Sequence, residues 1–170
     1  MVSESARATT AAESAFRVRT PNAAPRATLV VALDQASLDV VEGLSARAWN
    51  GAVFFAPSFF ESGGRLAAGD VQRWFRDVVG RAQGFVQEVE ASNQAVMIAT
   101  SGEDAQLASV VGDACRATGT KTCGLILHDA AARPPEAVSA TLGQLRPYVS
   151  MLSVVSDAGY VEAMLEALRA

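Results

Sequence analysis

Between residues 27 and 170, apolar strand cores alternate with amphipathic helical stretches. This predicts an α/β fold: a three-layer, doubly wound, mostly parallel sheet of five to six strands. The strand cores are Ala27 to Leu33, Ala52 to Ala56, Ala95 to Thr100, Thr122 to His128 and Met151 to Ser156, with a short sixth candidate near Phe59. The segments between them are long enough for the helical crossovers that parallel neighbours require. Four strand ends carry acidic or small polar clusters: Asp34, then Ser101-Gly102-Glu103-Asp104, then His128-Asp129, then Ser156-Asp157. Ligands of open parallel sheets bind outside the carboxyl ends of the strands, where the winding direction reverses. These clusters therefore mark the expected functional edge.

The helices follow from periodicity and end signals. Ser37 to Trp49 places Leu38, Val41, Leu44 and Ala48 on one side, with Ser37, or Asp34 together with Ser37, as the cap. A long helix capped by Asp70 carries Val71, Trp74, Phe75, Val78, Ala82, Phe85, Val86 and Val89 as one wide apolar stripe, and aromatic residues at that spacing read as core. The next helix starts at Glu103 or Asp104 and stops at Gly119, whose backbone tolerates a helix-ending turn. Another opens at Pro134-Pro135, suited to a first turn. The last runs from about Tyr160 with Val161, Met164, Leu165 and Leu168 inward, and Asp157 as its cap.

A chain of 170 residues that is 50% hydrophobic suits one domain and a tail. Residues 1–26, rich in Ala, Ser, Thr and Arg with Pro21 and Pro25, are expected to be disordered, leaving residues 27–170 as the domain. The tail contributes +2 to the formal net charge of −4, so the domain carries −6. An acidic domain without a Lys/Arg run repels a phosphate backbone, which argues against nucleic acid as a partner. No run approaches the roughly 20 apolar residues of a membrane helix, so no membrane association is expected. Cys115 and Cys123 have neither CxxC nor metal-ligand spacing and read as buried small hydrophobes in a reducing cytoplasm.

The edge clusters supply the candidate site residues. Asp34, Thr100, Ser101, Gly102, Glu103, Asp104 and Asp157 are the ligand-binding candidates, and His128 with Asp129 the catalytic ones. Each has a bland counterpart. Carboxylates at a helix start stabilise by about 0.3 to 1 kcal/mol through the macrodipole and free N–H groups, which accounts for Glu103, Asp104 and Asp157 without chemistry. His128 is the only histidine, and no serine or cysteine stands in a nucleophile-elbow context beside it. Asp34, Asp104, Asp129 and Asp157 share one edge and hard cations accept oxygen ligands, yet no acidic triplet has fixed spacing and no metal is predicted. No cofactor is identified.

The order of parts resembles the nucleotide-binding half of the tubulin/FtsZ family over roughly Ala27 to Tyr160. "RATLVVALDQASLDVVEGLSARAWNGAVFFAPS" looks like its opening strand, helix and second strand. "ESGGRLAAGDVQRWFRDVVGRAQGFVQEVEASNQAVMIATSGED" is similar to its glycine-bearing loop, long helix and strand leading into the phosphate loop. "ACRATGTKTCGLILHDAAARPPEAVSATLGQLRPYVSMLSVVSD" has the shape of its next strand, proline-marked loop, helix and strand. The resemblance implies a Rossmann-like nucleotide domain. In place of the family's GGGTG(T/S)G loop, however, stands Ala99-Thr100-Ser101-Gly102-Glu103-Asp104-Ala105, and Asp34-Gln35-Ala36-Ser37 replaces its first glycine-rich turn. Glu103 and Asp104 fall where terminal phosphates belong, and like charges at short range in a partly dry site cost several kcal/mol. The chain also stops inside or just after the helix that precedes the family's catalytic loop and second domain, which argues against GTP hydrolysis and filament formation. A second stretch, "AVMIATSGEDAQLASVVGDACRATGTKTCGLIL", looks like the sugar-isomerase signature, with Ala99 and Asp104 replacing two of its hydroxyl residues.

Two functions are expected from these readings. One is a non-catalytic module whose nucleotide site is lost and which binds a protein partner or forms a homo-oligomer. Phe54, Phe55, Phe59 and Phe60 support it, because they cannot all point into one strand face, unless helices cover both faces of the sheet. The other is a small cytoplasmic enzyme or subunit using His128 in an acidic strand-end pocket.

Overall fold

The computed structural model describes residues 26–56, 82–168 and 170. The strands are β1 (Thr28–Ala32), β2 (Ala52–Phe55), β3 (Gln94–Thr100), β4 (Lys121–Leu127) and β5 (Met151–Val155). The helices are α1 (Gln35–Ser45), α2 (described over residues 82–91), α3 (Leu107–Thr118), α4 (Pro135–Leu145) and α5 (Ala158–Leu168), with a short 3-10 turn at Arg146–Tyr148. Residues 1–25 of the predicted tail, the candidate strand near Phe59, Phe60 and the first half of the long helix with Trp74 lie outside the described residues.

The five strands form one all-parallel sheet in the order β2-β1-β3-β4-β5, the three-layer, Rossmann-like α/β fold expected from the sequence. Every residue of β1 is buried, as the inner strand of a sheet covered on both sides must be. On one face α1 and α5 bring Val41, Leu44, Tyr160, Val161 and Leu165 against Val30, Val96, Ile98 and Leu125. On the other, Phe85 and Val89 of α2, Val111 and Cys115 of α3 and Leu145 of α4 cover Leu29, Val31, Met97 and Ile126. Phe54 packs with the first cluster and Phe55 with the second, where it meets Phe85 edge-on at 5.4 Å. Alternation along β2 thus divides this aromatic pair between the two faces.

Several end signals operate as the sequence implies. Gly119 ends α3 in the left-handed region at φ 76°, its N–H donating to the Cys115 carbonyl. Pro135 occupies the first turn of α4. Asp157 accepts the N–H of Tyr160 through Oδ1 at 3.1 Å and so caps α5.

Two helices differ from expectation. Helix α1 starts at Gln35, two residues before the predicted start at Ser37, and of the two predicted caps the structure has Asp34 together with Ser37: Asp34 is the N-cap, its Oδ1 accepts the Ser37 N–H at 2.7 Å, and Ser37 Oγ accepts the Asp34 N–H at 3.3 Å. It ends at Ser45, and Trp49 folds back to donate Nε1–H to the Leu44 carbonyl at 2.8 Å. Helix α3 starts at Leu107, after a turn that holds Glu103 and Asp104 outside the helix, so these carboxylates do not lie in its first turn. The delay has a local cause: Gly102 turns the chain at φ 84°, and the N–H groups of Ala105 and Gln106 are taken by the side chains of Gln144 and Asp104.

Candidate functional site at the carboxyl edge of the sheet

The winding reverses between β1 and β3. Helix α1 leaves β1 toward one face and α3 leaves β3 toward the other, which opens the crevice where doubly wound sheets place ligands. The register sets Thr100 beside Leu127 and Leu127 beside Val155, bringing the ends of β3, β4 and β5 to one level. All the predicted site residues therefore stand along this edge, but their side chains have different occupations.

Asp34 is buried and uses both oxygens internally. Oδ1 caps α1 and Oδ2 accepts the backbone N–H of Thr100 at 2.7 Å, fastening the end of β1 to the end of β3. Thr100 places its own Oγ1 in the interior with no hydrogen-bond partner among the described residues. Ser101 has no exposed surface. Its N–H donates to the Leu127 carbonyl at 2.9 Å, its Oγ lies 3.0 Å from His128 Nδ1, and its carbonyl accepts a hydrogen bond from Arg133 Nη1.

The loop after β3 is clasped from the β4–α4 side. Gly102 donates its N–H to Thr141 Oγ1 at 2.8 Å and to the Ala137 carbonyl at 3.1 Å. Glu103 donates its N–H to the Thr100 carbonyl at 3.1 Å, and its carboxylate meets Arg133 Nη2 at 2.8 Å. Ala105 donates to Gln144 Oε1 at 2.6 Å, while Asp104 Oδ1 accepts from the Gln106 N–H at 3.1 Å and from Gln144 Nε2 at 3.3 Å. An anion cradle needs N–H groups aimed at the ligand. In this loop the N–H groups of Thr100, Ser101, Gly102, Glu103, Ala105 and Gln106 all have protein acceptors.

His128 and Asp129 follow β4. The His128 N–H extends the ladder to the Val155 carbonyl at 2.8 Å. Asp129 shapes the loop into α4: Oδ1 accepts the Ala131 N–H at 2.9 Å and its carbonyl accepts the Arg133 N–H at 2.9 Å. Asp157 accepts from Ser156 Oγ at 3.3 Å besides capping α5. The structure thus brings together Asp34 with Thr100 and Ser101 with His128, whereas Asp129 and Asp157 are held by their own neighbouring chain. Among the described residues, no group of three His, Cys, Asp or Glu side chains could hold a metal ion.

Three residues of this edge were not singled out by sequence reasoning: Arg133, Thr141 and Gln144. Thr141 is fully buried one turn before Leu145, so a hydroxyl on the inward stripe of α4 was the available signal. Arg133 and Gln144 left no signal, because each acts on a loop 30 or more residues away. At the opposite end of the sheet, a surface groove of about 240 Å³ is lined by Arg47, Ala48, Trp49, Asn50, Glu166 and Ala170, none of them a predicted site residue. Burial pushes the thiols of Cys115 and Cys123 up to about 11, and both are free. No described helix is long and apolar enough to cross a membrane. No protein-family model matches the chain, and no curated protein matches it.

Proposed function

We propose that this chain is a non-catalytic α/β module, tubulin/FtsZ-like or more broadly Rossmann-like, that binds a protein partner or a second copy and carries no nucleotide at its strand-end edge. One observation carries the reading: six N–H groups between Thr100 and Gln106 are spent on Asp34, Leu127, Thr141, Thr100, Gln144 and Asp104. A phosphate entering there would have to displace these bonds beside the carboxylates of Glu103 and Asp104. The acidic domain argues for a protein partner over a nucleic acid, and the free cysteines suit the cytoplasm. Isothermal titration with Mg-GTP and Mg-ATP tests it. No saturable heat is expected, and a dissociation constant near about 1 μM, worth about −8 kcal/mol, would overturn it.

A second reading, a small enzyme using His128, draws support from the 3.0 Å approach of Ser101 Oγ to His128 Nδ1. Against it, Ser101 is fully buried and the neighbouring N–H groups that would stabilise an oxyanion are already engaged. Turnover of small activated esters that disappears in His128→Gln would favour the enzyme.

A further inference from the structure

Among the described residues, β5 is an edge strand of the sheet, and its own sequence carries no device that blunts pairing. Edge strands of monomeric proteins are blunted by lysine, proline, bulges or covering segments. Met151–Val155 reads MLSVV, with no charge and no proline, and among the described residues it pairs only with β4. Met151 is 63% exposed, and Leu152, Ser153 and Val154 are half-buried.

Backbone direction decides what that edge offers. The His128 N–H donates to the Val155 carbonyl, so Val155, and by alternation Ser153 and Met151, aim their backbone groups at β4. Leu152 and Val154 aim theirs outward. The polarity of the strand is symmetric about its centre: two apolar residues, Ser153, two apolar residues.

We infer that two copies of this chain associate through antiparallel pairing of β5 with β5 about a two-fold axis at Ser153, joining two five-stranded sheets into one. The inference rests on the reading of the chain as an association module and names its partner. About that axis Leu152 of one copy faces Val154 of the other, and each such pair exchanges both N–H···O=C bonds. Met151 faces Val155, which covers the most exposed apolar side chain of the strand with an apolar partner. Ser153 faces itself in a non-hydrogen-bonded pair. Self-pairing sets no like charges opposite one another, and of the two-fold registers that pair the outward residues Leu152 and Val154, this one alone leaves no apolar residue opposite a serine.

Sedimentation velocity and cross-linking on the full chain test it. Wild type should sediment at twice the chain mass. Ser153→Lys, which opposes two ammonium groups, and Met151→Lys, at a site exposed enough to spare the fold, should each weaken dimerisation by about two- to fivefold with unchanged far-UV circular dichroism. Ser153→Cys should form a disulfide-linked dimer on mild oxidation, since a non-hydrogen-bonded pair holds its Cα atoms about 4.5 Å apart, within disulfide range. Met151→Cys, which does not face its own copy, should not cross-link. A monomeric wild type, or a dimer whose affinity neither lysine substitution changes while the Ser153→Cys variant stays unlinked, overturns the inference. The titration with Mg-GTP is independent: nucleotide binding would remove the proposed function while leaving the edge pairing measurable, and a monomer would leave an association module with a different partner.

Discussion

The carboxylate of Asp34 accepts the backbone N–H of Thr100 at 2.7 Å with one oxygen and that of Ser37 at 2.7 Å with the other. One buried side chain therefore starts α1 and pins β1 to β3 at the point where the sheet changes winding direction. Such a residue looks like a ligand acceptor in sequence and acts as a fastener in the fold. Asp34→Ala should cost about 2 to 4 kcal/mol, from a lost cap and a buried N–H left without an acceptor. Urea denaturation followed by circular dichroism measures it, and a loss below about half a kcal/mol would show that water replaces the carboxylate.

Gly102 should prove structural. At φ 84° a side chain is strained, and a Cβ there would come within 3.2 Å of the Ala137 Cβ and 3.4 Å of Arg133 Nη1. Gly102→Val is expected to destabilise by more than about 1 kcal/mol. A variant with wild-type stability that loses association in sedimentation would instead assign Gly102 to a binding surface.

Removing charge from the loop should not create a nucleotide site. Glu103 is partly exposed and its pairing with Arg133 contributes little, so Glu103→Gly with Asp104→Gly should fold. Gly102 and Ala105 would still donate to Thr141 and Gln144. Titration of this double variant with Mg-GTP is expected to remain flat, and binding would show that the carboxylates alone close the site.

The thiols give a pH prediction. Burial raises both Cys115 and Cys123 to about 11 from 9.0. Well below pH 9 both states keep the proton and stability is unaffected. Between pH 9 and 11 the unfolded chain releases protons that the fold retains, so stability should fall as pH rises. Urea midpoints at about pH 8 and about pH 10 check the direction, and Ellman's reagent should label neither thiol rapidly before unfolding.

Local chemistry made the fold legible. Runs such as TLVVA and QAVMIAT announce buried strands, and Gly119, Pro135 and Asp157 mark helix ends through backbone permissiveness, a fixed φ and a carboxylate cap. These signals act within a few residues, so composition and spacing record them. The starts of α1 and α3 were less legible, because Asp34 caps α1 ahead of the point the apolar pattern suggests and Gln144, 39 residues from Ala105, holds the N–H that would otherwise open α3 earlier.

What the site residues do was decided by tertiary structure. Nothing in the sequence joins Asp34 to Thr100 across 66 positions, Ser101 to His128 across 27, or Gly102 to Thr141 across 39. Those contacts exist because the strand order β2-β1-β3-β4-β5 sets the ends of β1, β3 and β4 side by side and lays α4 over the loop after β3. The sequence by itself determined which residues stand at the carboxyl edge, since strand periodicity and chain direction are local properties. Only the folded sheet decided which of their donors and acceptors pair with one another, because hydrogen-bond partners depend on distances in space that a linear spacing does not encode.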